Sequence, residues 1–305
     1  MTGNTLGWVI VAFVLYLLMM IAIGAFYAKG NNNSEDYFLG GRKLNGFVAA
    51  LSAQASDMSG WLLMGLPGAI YLTGVGGDGW IAIGLFIGTT LNWLFIATKL
   101  RRYTIRANNS VTLPTYFENR FHDEKKVLMA VSSITIVVFF LVYCASALSA
   151  GGQLFESVFG IDYHVALTIG ALVVLVYTFL GGFTAVCVTD FIQGMLMLVG
   201  ILAVPLFAYH FLTGNGTTLA AGLEASGADS ANFLNLMKNG DGSNNIISVI
   251  SGLGWGLGYF GMPHILVRFM AVRDEKEMTK SKATAISWVA LSLGFAVFIG
   301  ILGRA

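Results

Sequence analysis

Charged side chains are scarce in this sequence. They make up 11% of the 305 residues, while hydrophobic residues make up 56% and the mean hydropathy is +0.75. An ordinary soluble domain uses roughly 25% charged residues. The composition therefore excludes such a domain and predicts an integral membrane protein.

Cysteine and histidine are also rare. Cys144 and Cys187 lie in or beside apolar stretches without CxxC spacing, which favours packing residues over a disulfide or metal ligands. The four histidines show no metal-ligand spacing. The net charge of +1 gives no sign of nucleic-acid binding. No P-loop, nucleotide fingerprint or adjacent nucleophile and base is present, so we expect neither an enzyme nor a bound cofactor.

The sequence is instead dominated by apolar stretches. Most of them reach the roughly 20 residues that a helix needs to cross about 30 Å of hydrocarbon. We expect helices, because a barrel would show short alternating segments. An all-α integral membrane protein in the lipid bilayer is predicted, with transmembrane helices at about 7–27, 45–72, 78–98, 127–150, 164–181, 185–212, 246–271 and 284–303.

Basic residues give the orientation of these helices. If the N-terminus lies outside and every stretch crosses, only Lys238 and Arg304 of the 17 basic residues lie outside. This distribution follows the positive-inside rule. Between the helices, "TLPTYFENRF" predicts a short interfacial helix, and segment 213–245 predicts an irregular outer loop.

Two of the predicted helices contain residues that weaken a helix. "ASDMSGWLLMGLPG" covers 55–68, and "SGLGWGLGYFGMPHI" covers 251–265. Glycine and proline at these places predict interruptions at membrane depth. The two helices are five crossings apart and would run in opposite directions, as in an inverted repeat. The alternative is that the glycines only allow close helix packing.

Asp57 is the unusual residue of the first interrupted helix. A charged Asp at the membrane centre costs roughly 2.5–3.5 kcal/mol, so we expect a cation, a water-filled cavity or a proton beside it. Carbonyls freed at the break, with the hydroxyls of Ser56 and Ser59, are suitable ligands for Na⁺. The outer half-helix N-terminus would favour a carboxylate. Alternatively, Asp57 caps a half-helix or pairs with a buried base.

Other polar and aromatic residues have two interpretations each. Trp255 and Tyr259 would share a helix face as an apolar wall with polar handles, or they serve only in packing. Asp190 is expected to cap the start of a helix, and a functional role is the second interpretation. Arg42 is expected to mark topology first and to take part in gating second.

Several motifs together resemble the solute:sodium symporter family. They are "DYFLGGRKL" at 36–44, "SDMSGWLLMGLPGAIYL" at 56–72, "TLPTYF" at 112–117, "VYCASALSAG" at 142–151, "YTFLGGFTAV" at 177–186 and "GWGLGYFGMPHILVRFMA" at 254–271. The resemblance implies a leucine-transporter-like fold with two five-helix inverted repeats. An extra helix at about 7–27 would precede the first repeat at about 45–212. The segment at about 246–303 would be the start of the second repeat.

The resemblance also implies Na⁺-coupled uptake of L-proline across a bacterial inner membrane. By the resemblance, Asp57 is important for Na⁺ binding, the carbonyls of Ala55 and Met58 are ligands, and Ser59 and Gly60 lie at the same break. Arg42 and Asp190 take part in gating or coupling. The residues that form or shape the proline pocket are Tyr143, Trp255, Tyr259 and Pro263.

Family members have more helices than the eight predicted here. We therefore expect this chain to be an N-terminal part, whether a fragment or the product of a truncated gene. The remaining Na⁺ ligands would lie beyond residue 305. Three other functions stay open: a symporter for another small carboxylate or amino acid, a sensor input domain joined to a signalling kinase, and a scaffold without transport.

Overall fold

The helices follow the apolar stretches closely. A computed structural model describes residues 3–305, and within them no β-strand forms apart from two isolated bridges. The helices in chain order are α1 (Gly3–Ala28), α2 (Ser34–Leu39), α3 (Gly46–Gly60), α4 (Leu66–Thr73), α5 (Val75–Leu91), α6 (Ala97–Arg106), α7 (Leu113–Phe121), α8 (Val127–Phe159), α9 (Tyr163–Gly214), α10 (Leu219–Ala225), α11 (Ser230–Phe233), α12 (Ile246–Trp255), α13 (Pro263–Ala271) and α14 (Glu275–Arg304).

Several helices are long and apolar enough to cross a membrane. Within the described residues there are five, or six if the bent pair α12 and α13 forms one span. They are Gly7–Ala28, Val75–Arg106, Val127–Phe159, Tyr163–Gly214 and Glu275–Arg304. This is a multi-pass, all-helical membrane protein, as the composition predicts. The number of crossings stays a prediction.

Two of the eight predicted helices lie in the single helix α9. This helix has 52 residues, about 78 Å at 1.5 Å per residue, which is more than twice the thickness of the hydrocarbon. Its backbone is non-helical at Gly182, where φ is 61° and ψ is −158°. A side chain at Gly182 would also lie 3.0 Å from the Tyr37 carbonyl oxygen. Glycine is therefore required where the predicted stretches 164–181 and 185–212 meet.

Both predicted interruptions are present. In the first, Ser59 has φ 31° and ψ −156°, and a π-helical segment, Trp61–Gly65, separates α3 from α4. In the second, α12 gives way to a 3₁₀ segment, Gly256–Gly261, and α13 then departs at an angle of 47°. Proline at the first position of α13 explains this start, because its missing N–H needs no partner there.

The glycines of the second interrupted helix also allow close packing. A Cβ atom on Gly88 of α5 would lie 2.1 Å from the Gly256 carbonyl oxygen, and one on Gly84 would lie 2.2 Å from that of Gly252. Only glycine permits such an approach of two backbones. By contrast, Gly254 has open space around its Cα. The interruption and the close packing therefore occur in the same helix, and neither interpretation alone explains its glycines.

The two interrupted helices are joined at one end. Leu44, just before α3, forms a parallel bridge with Val272, just after α13. The Leu44 N–H donates to the Ala271 carbonyl at 3.1 Å. The Gly46 N–H donates to Glu277 Oε2 at 2.7 Å. These contacts hold the start of α3 against the end of α13 and the first turn of α14. The interruptions themselves lie side by side, since Trp61 of one stacks on Trp255 of the other.

The predictions for the two connecting segments differ in their outcome. The predicted short helix is confirmed as α7, which starts next to the capping residue Thr112. The prediction of an irregular outer loop at 213–245 is wrong in part, because this segment contains α10 and α11. Thr218 and Asp229 cap these helices by accepting hydrogen bonds from backbone N–H groups.

Candidate functional site

Asp57 is the point at which the two interrupted helices meet. Its side chain is 6% exposed and lies on the last turn of α3, two residues before the break at Ser59. The Tyr259 hydroxyl, from the 3₁₀ segment, donates to Asp57 Oδ2 at 2.5 Å. His264 Nε2 lies 3.8 Å from Asp57 Oδ1, which is too long for a hydrogen bond. The carboxylate is thus buried, and among residues 3–305 no Lys or Arg forms an ion pair with it.

Aromatic rings surround this carboxylate. The Tyr143 hydroxyl, from α8, donates to the Ser56 carbonyl at 2.9 Å. The ring of Tyr143 stacks on His264, with centroids 5.6 Å apart and planes 24° apart. These contacts bring a third helix, α8, to the meeting point of α3 and α13.

Trp255 pairs with a tryptophan of the other interrupted helix. Its ring stacks on Trp61 at 5.7 Å with an interplanar angle of 24°. Trp255 remains 49% exposed, whereas Tyr259, four residues on, is buried. The predicted shared face is therefore split, because the 3₁₀ segment starts directly after Trp255 and changes the turn angle.

The oxygen atoms near the break suit a hard cation better than a transition metal. The described residues contain no group of three or more His, Cys, Asp or Glu side chains that could hold a metal. Carboxylate, hydroxyl and carbonyl oxygens are the ligands of hard cations. Of these oxygens, the Met58 carbonyl accepts a hydrogen bond from the Trp61 N–H across the break.

Asp190 does not cap a helix, so that prediction is wrong. The chain changes direction at Gly182, and Asp190 lies eight residues further on, inside α9. Its Oδ2 atom accepts hydrogen bonds from Ser52 Oγ at 2.7 Å and from Ser56 Oγ at 3.0 Å. Arg268 Nη2 donates to the same atom at 2.9 Å. Asp190 thus joins α9 to α3 and α13 through a buried ion pair.

Arg42 belongs to a separate cluster and is more than a topology marker. It is buried, and its guanidinium donates to the Met270 carbonyl at 2.9 Å and to the Ser110 carbonyl at 2.8 Å. Glu35 pairs with it at 3.2 Å between Nε and Oε1. Burial lowers the pKa of Arg42, and the Glu35 carboxylate opposes this shift. Its predicted role in gating remains a prediction.

Comparison with known proteins assigns this chain to a family. The sequence model of the Sodium:solute symporter family matches residues 37–305. The chain belongs to this family. Curated relatives include the sodium/proline symporters of Escherichia coli K12 and Staphylococcus aureus JH9. Each is 44% identical over 296 residues, which are 97% of this chain.

A solved structure has the same fold. It is the substrate-bound outward-open state of a Na⁺-coupled sialic acid symporter, with a TM-score of 0.76 at 21% identity. The match covers 94% of this chain and 59% of that one. The chain also spans only 57% of the length of the Escherichia coli symporter and 56% of the Staphylococcus aureus one.

Three residues beside Asp57 and Asp190 have no role predicted from the sequence. The positive-inside count places Arg268 among the basic residues at the inner ends of helices, but it is buried beside Asp190. The spacing of the histidines assigns no role to His264, and no pattern assigns one to Trp61. For Arg268 the available signal was the short amphipathic segment PHILVRFMA, in which a single Arg follows proline by five residues.

Proposed function

We propose that this protein is a sodium/proline symporter, which carries L-proline into a bacterial cell across the cytoplasmic membrane together with Na⁺. The observation that carries the proposal is the buried Asp57 carboxylate beside the Ser59 break, hydrogen-bonded to Tyr259 of the second interrupted helix. The 44% identity to sodium/proline symporters favours proline over other small carboxylates.

The proposed architecture is a leucine-transporter-like inverted repeat with its N-terminus outside. The extra helix would cover about 7–27, the first repeat 45–212 and the start of the second 246–303, with eight crossings in a single transporter domain. Three features support this count: the interrupted pair α3 and α4, the non-helical Gly182 within α9, and the bent pair α12 and α13. Further support is the concentration of basic residues on one side.

The proposed Na⁺ site lies at the first interruption. The carbonyl of Ala55, the carboxylate of Asp57, the carbonyl of Met58 and the hydroxyl of Ser59 would supply ligands. In this structure, Asp57 Oδ2 accepts a hydrogen bond from the Tyr259 hydroxyl at 2.5 Å. An ion that draws Asp57 towards itself would weaken this contact and free Tyr259 for the substrate.

The proposed proline pocket adjoins this ion site. It would be formed or shaped by Gly60, Tyr143, Trp255, Tyr259 and Pro263. Tyr259 contacts the Asp57 carboxylate and would also line the pocket. Occupation of one site would therefore favour occupation of the other, which is positive coupling. The Na⁺ gradient would then drive uptake, helped by the membrane potential, worth about 2.3 kcal/mol per charge per 100 mV.

Arg42 and Asp190 would act in gating or coupling. Asp190 contacts Ser56, one residue before Asp57, and also Arg268 of α13. A movement of α13 relative to α9 would therefore be transmitted to the residue next to the ion ligand. Arg42 would act at the end of α13, through its contact with the Met270 carbonyl.

Uptake of labelled L-proline tests the proposed function. Cells of a proline-uptake-deficient host that produce the protein should accumulate proline about tenfold faster with external Na⁺ than with choline, which corresponds to about 1.4 kcal/mol of activation free energy. Trp255→Ala should raise the KM for proline. The matched control is Trp8→Ala, since Trp8 lies on α1 and is 75% exposed. Equal uptake with Na⁺ and with choline would contradict the proposal.

A further inference from the structure

Positive charge is concentrated at the end of the span Val75–Arg106 that is predicted to lie inside. The last helix of this span, α6, has the sequence ATKLRRYTIR, with four basic residues and no acidic one. The next helix, α7, adds Arg120 in its last turn. The positive-inside rule accounts for an excess of basic residues here, but it does not account for how they are arranged on the two helices.

Three of these five cations have no counter-charge. Arg101 donates to the Val272 carbonyl at 2.6 Å, and Arg102 pairs with Glu275 at 2.6 Å and 2.8 Å. Within residues 3–305, no Asp or Glu forms an ion pair with the remaining three. The acidic residue of α7, Glu118, lies 3.7 Å from Lys126 instead. The three cations are Lys99, Arg106 and Arg120.

Aromatic rings hold Arg120 beside α6. Its guanidinium carbon lies 5.7 Å from the centre of the Tyr103 ring of α6 and 5.9 Å from that of the Phe121 ring. A cation–π contact fixes a guanidinium over a ring face without using its N–H donors for a hydrogen bond to a side chain. Both rings are exposed, as is usual for aromatic side chains at the headgroup level of a bilayer. Arg120 therefore adds its charge to the exposed face of α6.

This exposed face changes from apolar to basic along one helix. Residues three or four apart lie on the same side of a helix. Leu100 and Thr104 are buried on the opposite side of α6. Lys99 lies about 6 Å along the axis from the exposed Phe95, at 1.5 Å per residue. A phospholipid has the same order of groups, with acyl chains next to a phosphate. The exposed positions are 91, 94 and 95, which are hydrophobic, and then 99, 102, 103 and 106.

We propose that the exposed face of α6 is a binding site for one anionic phospholipid of the inner leaflet. The headgroup phosphate accepts hydrogen bonds from Lys99, Arg106 and Arg120, and such bonds between charged groups are the stronger ones. The acyl chains lie along the hydrophobic positions 91–95. Three unpaired cations favour a lipid with a net negative charge over a zwitterionic lipid, whose headgroup brings a cation of its own.

Lipid binding to the purified full chain in detergent micelles tests this site. The probes are dioleoylphosphatidylglycerol, which is anionic, and dioleoylphosphatidylcholine, which is zwitterionic. Native mass spectrometry gives the Kd of each. The wild type should bind the anionic lipid at least about tenfold more tightly than the zwitterionic one. The triple variant Lys99→Gln, Arg106→Gln and Arg120→Gln should bind the anionic lipid at least about tenfold more weakly than the wild type.

The triple variant should keep its fold, because the three side chains are exposed and form no ion pair. Its Tm in detergent without added lipid checks this. Arg106→Gln alone, expected to weaken binding of the anionic lipid about two- to threefold, keeps the test decisive if the triple variant does not fold. An unchanged Kd for the anionic lipid in Arg106→Gln and in every folded triple variant would overturn the inference.

A matched control separates a defined site from general attraction. The variant Lys29→Gln, Lys43→Gln and Lys276→Gln removes the same charge from other exposed positions, so the Kd should change less than about twofold. Equal weakening in the two triple variants would overturn the inference, as would equal affinity of the wild type for both lipids. Displacement of the lipid by millimolar inorganic phosphate would overturn it in favour of an ion site. None of these measurements requires transport, so their failure is distinguishable from failure of the proposed function.

Discussion

The buried ion pair of Asp190 and Arg268 should be the most costly single contact to break near the site. Arg268 is 6% exposed and Asp190 is 8% exposed. The pair is joined at 2.9 Å, and the same carboxylate oxygen accepts from Ser52 and Ser56. Asp190→Ala would leave the guanidinium buried without its counter-charge. Such a loss costs about 3–5 kcal/mol of folding free energy.

A double-mutant cycle separates this pair energy from other effects. We expect Asp190→Ala with Arg268→Met to cost about 1–3 kcal/mol less than the sum of the single changes, because the double variant buries no unpaired charge. The free energy of unfolding is measured by circular dichroism during an SDS titration in detergent micelles. The control is Glu275→Ala, since Glu275 and Arg102 form a solvent-exposed pair whose loss should have little effect on the free energy of unfolding. Single changes that add within about 0.5 kcal/mol would refute the reasoning.

Two further predictions concern helix contacts and use the same unfolding measurement. Gly88→Ala should destabilise the protein by about 1–3 kcal/mol, because the new methyl group would meet the Gly256 carbonyl oxygen at 2.1 Å. Gly254→Ala, with open space, should be neutral or stabilising by up to about 1 kcal/mol, and an equal effect of both changes would contradict this account. Glu277→Ala should cost about 1–3 kcal/mol, because the buried Gly46 N–H loses its acceptor, while Glu277→Gln should cost less. Equal losses in these two variants would contradict the role of the acceptor.

Much of this architecture could be predicted because the bilayer limits the possible structures. A buried backbone in lipid must be helical unless protein surrounds it, so glycine, proline and Asp57 within apolar stretches already indicate an interruption. Both breaks can therefore be located from the sequence. The family resemblance places Ser59 and Gly60 at the first break, but residue type alone does not single out Ser59, because a positive φ at a serine is imposed by its surroundings and has no local signal.

Predictions about partners were the least successful, since partners come from distant parts of the chain. Asp190 follows Thr189 at a predicted turn, a sequence typical of a helix start. In the structure, the non-helical residue is Gly182, and the Asp190 carboxylate pairs with Arg268 inside α9. Arg42 resembles a solvent-facing charge in sequence, yet it is enclosed by carbonyls from two later segments. Such contacts depend on tertiary packing, which hydropathy and residue spacing do not encode.

The central claim is that Asp57 at the Ser59 break binds the coupling ion, and the Na⁺ dependence of proline uptake tests it most directly. Asp57→Asn keeps the size of the side chain but removes its charge, and Asp78→Asn at the start of α5 is the matched control. We predict that Asp57→Asn raises the half-saturating Na⁺ concentration about tenfold or more, and that Asp78→Asn leaves it unchanged. An unchanged half-saturating Na⁺ concentration in Asp57→Asn would contradict the account.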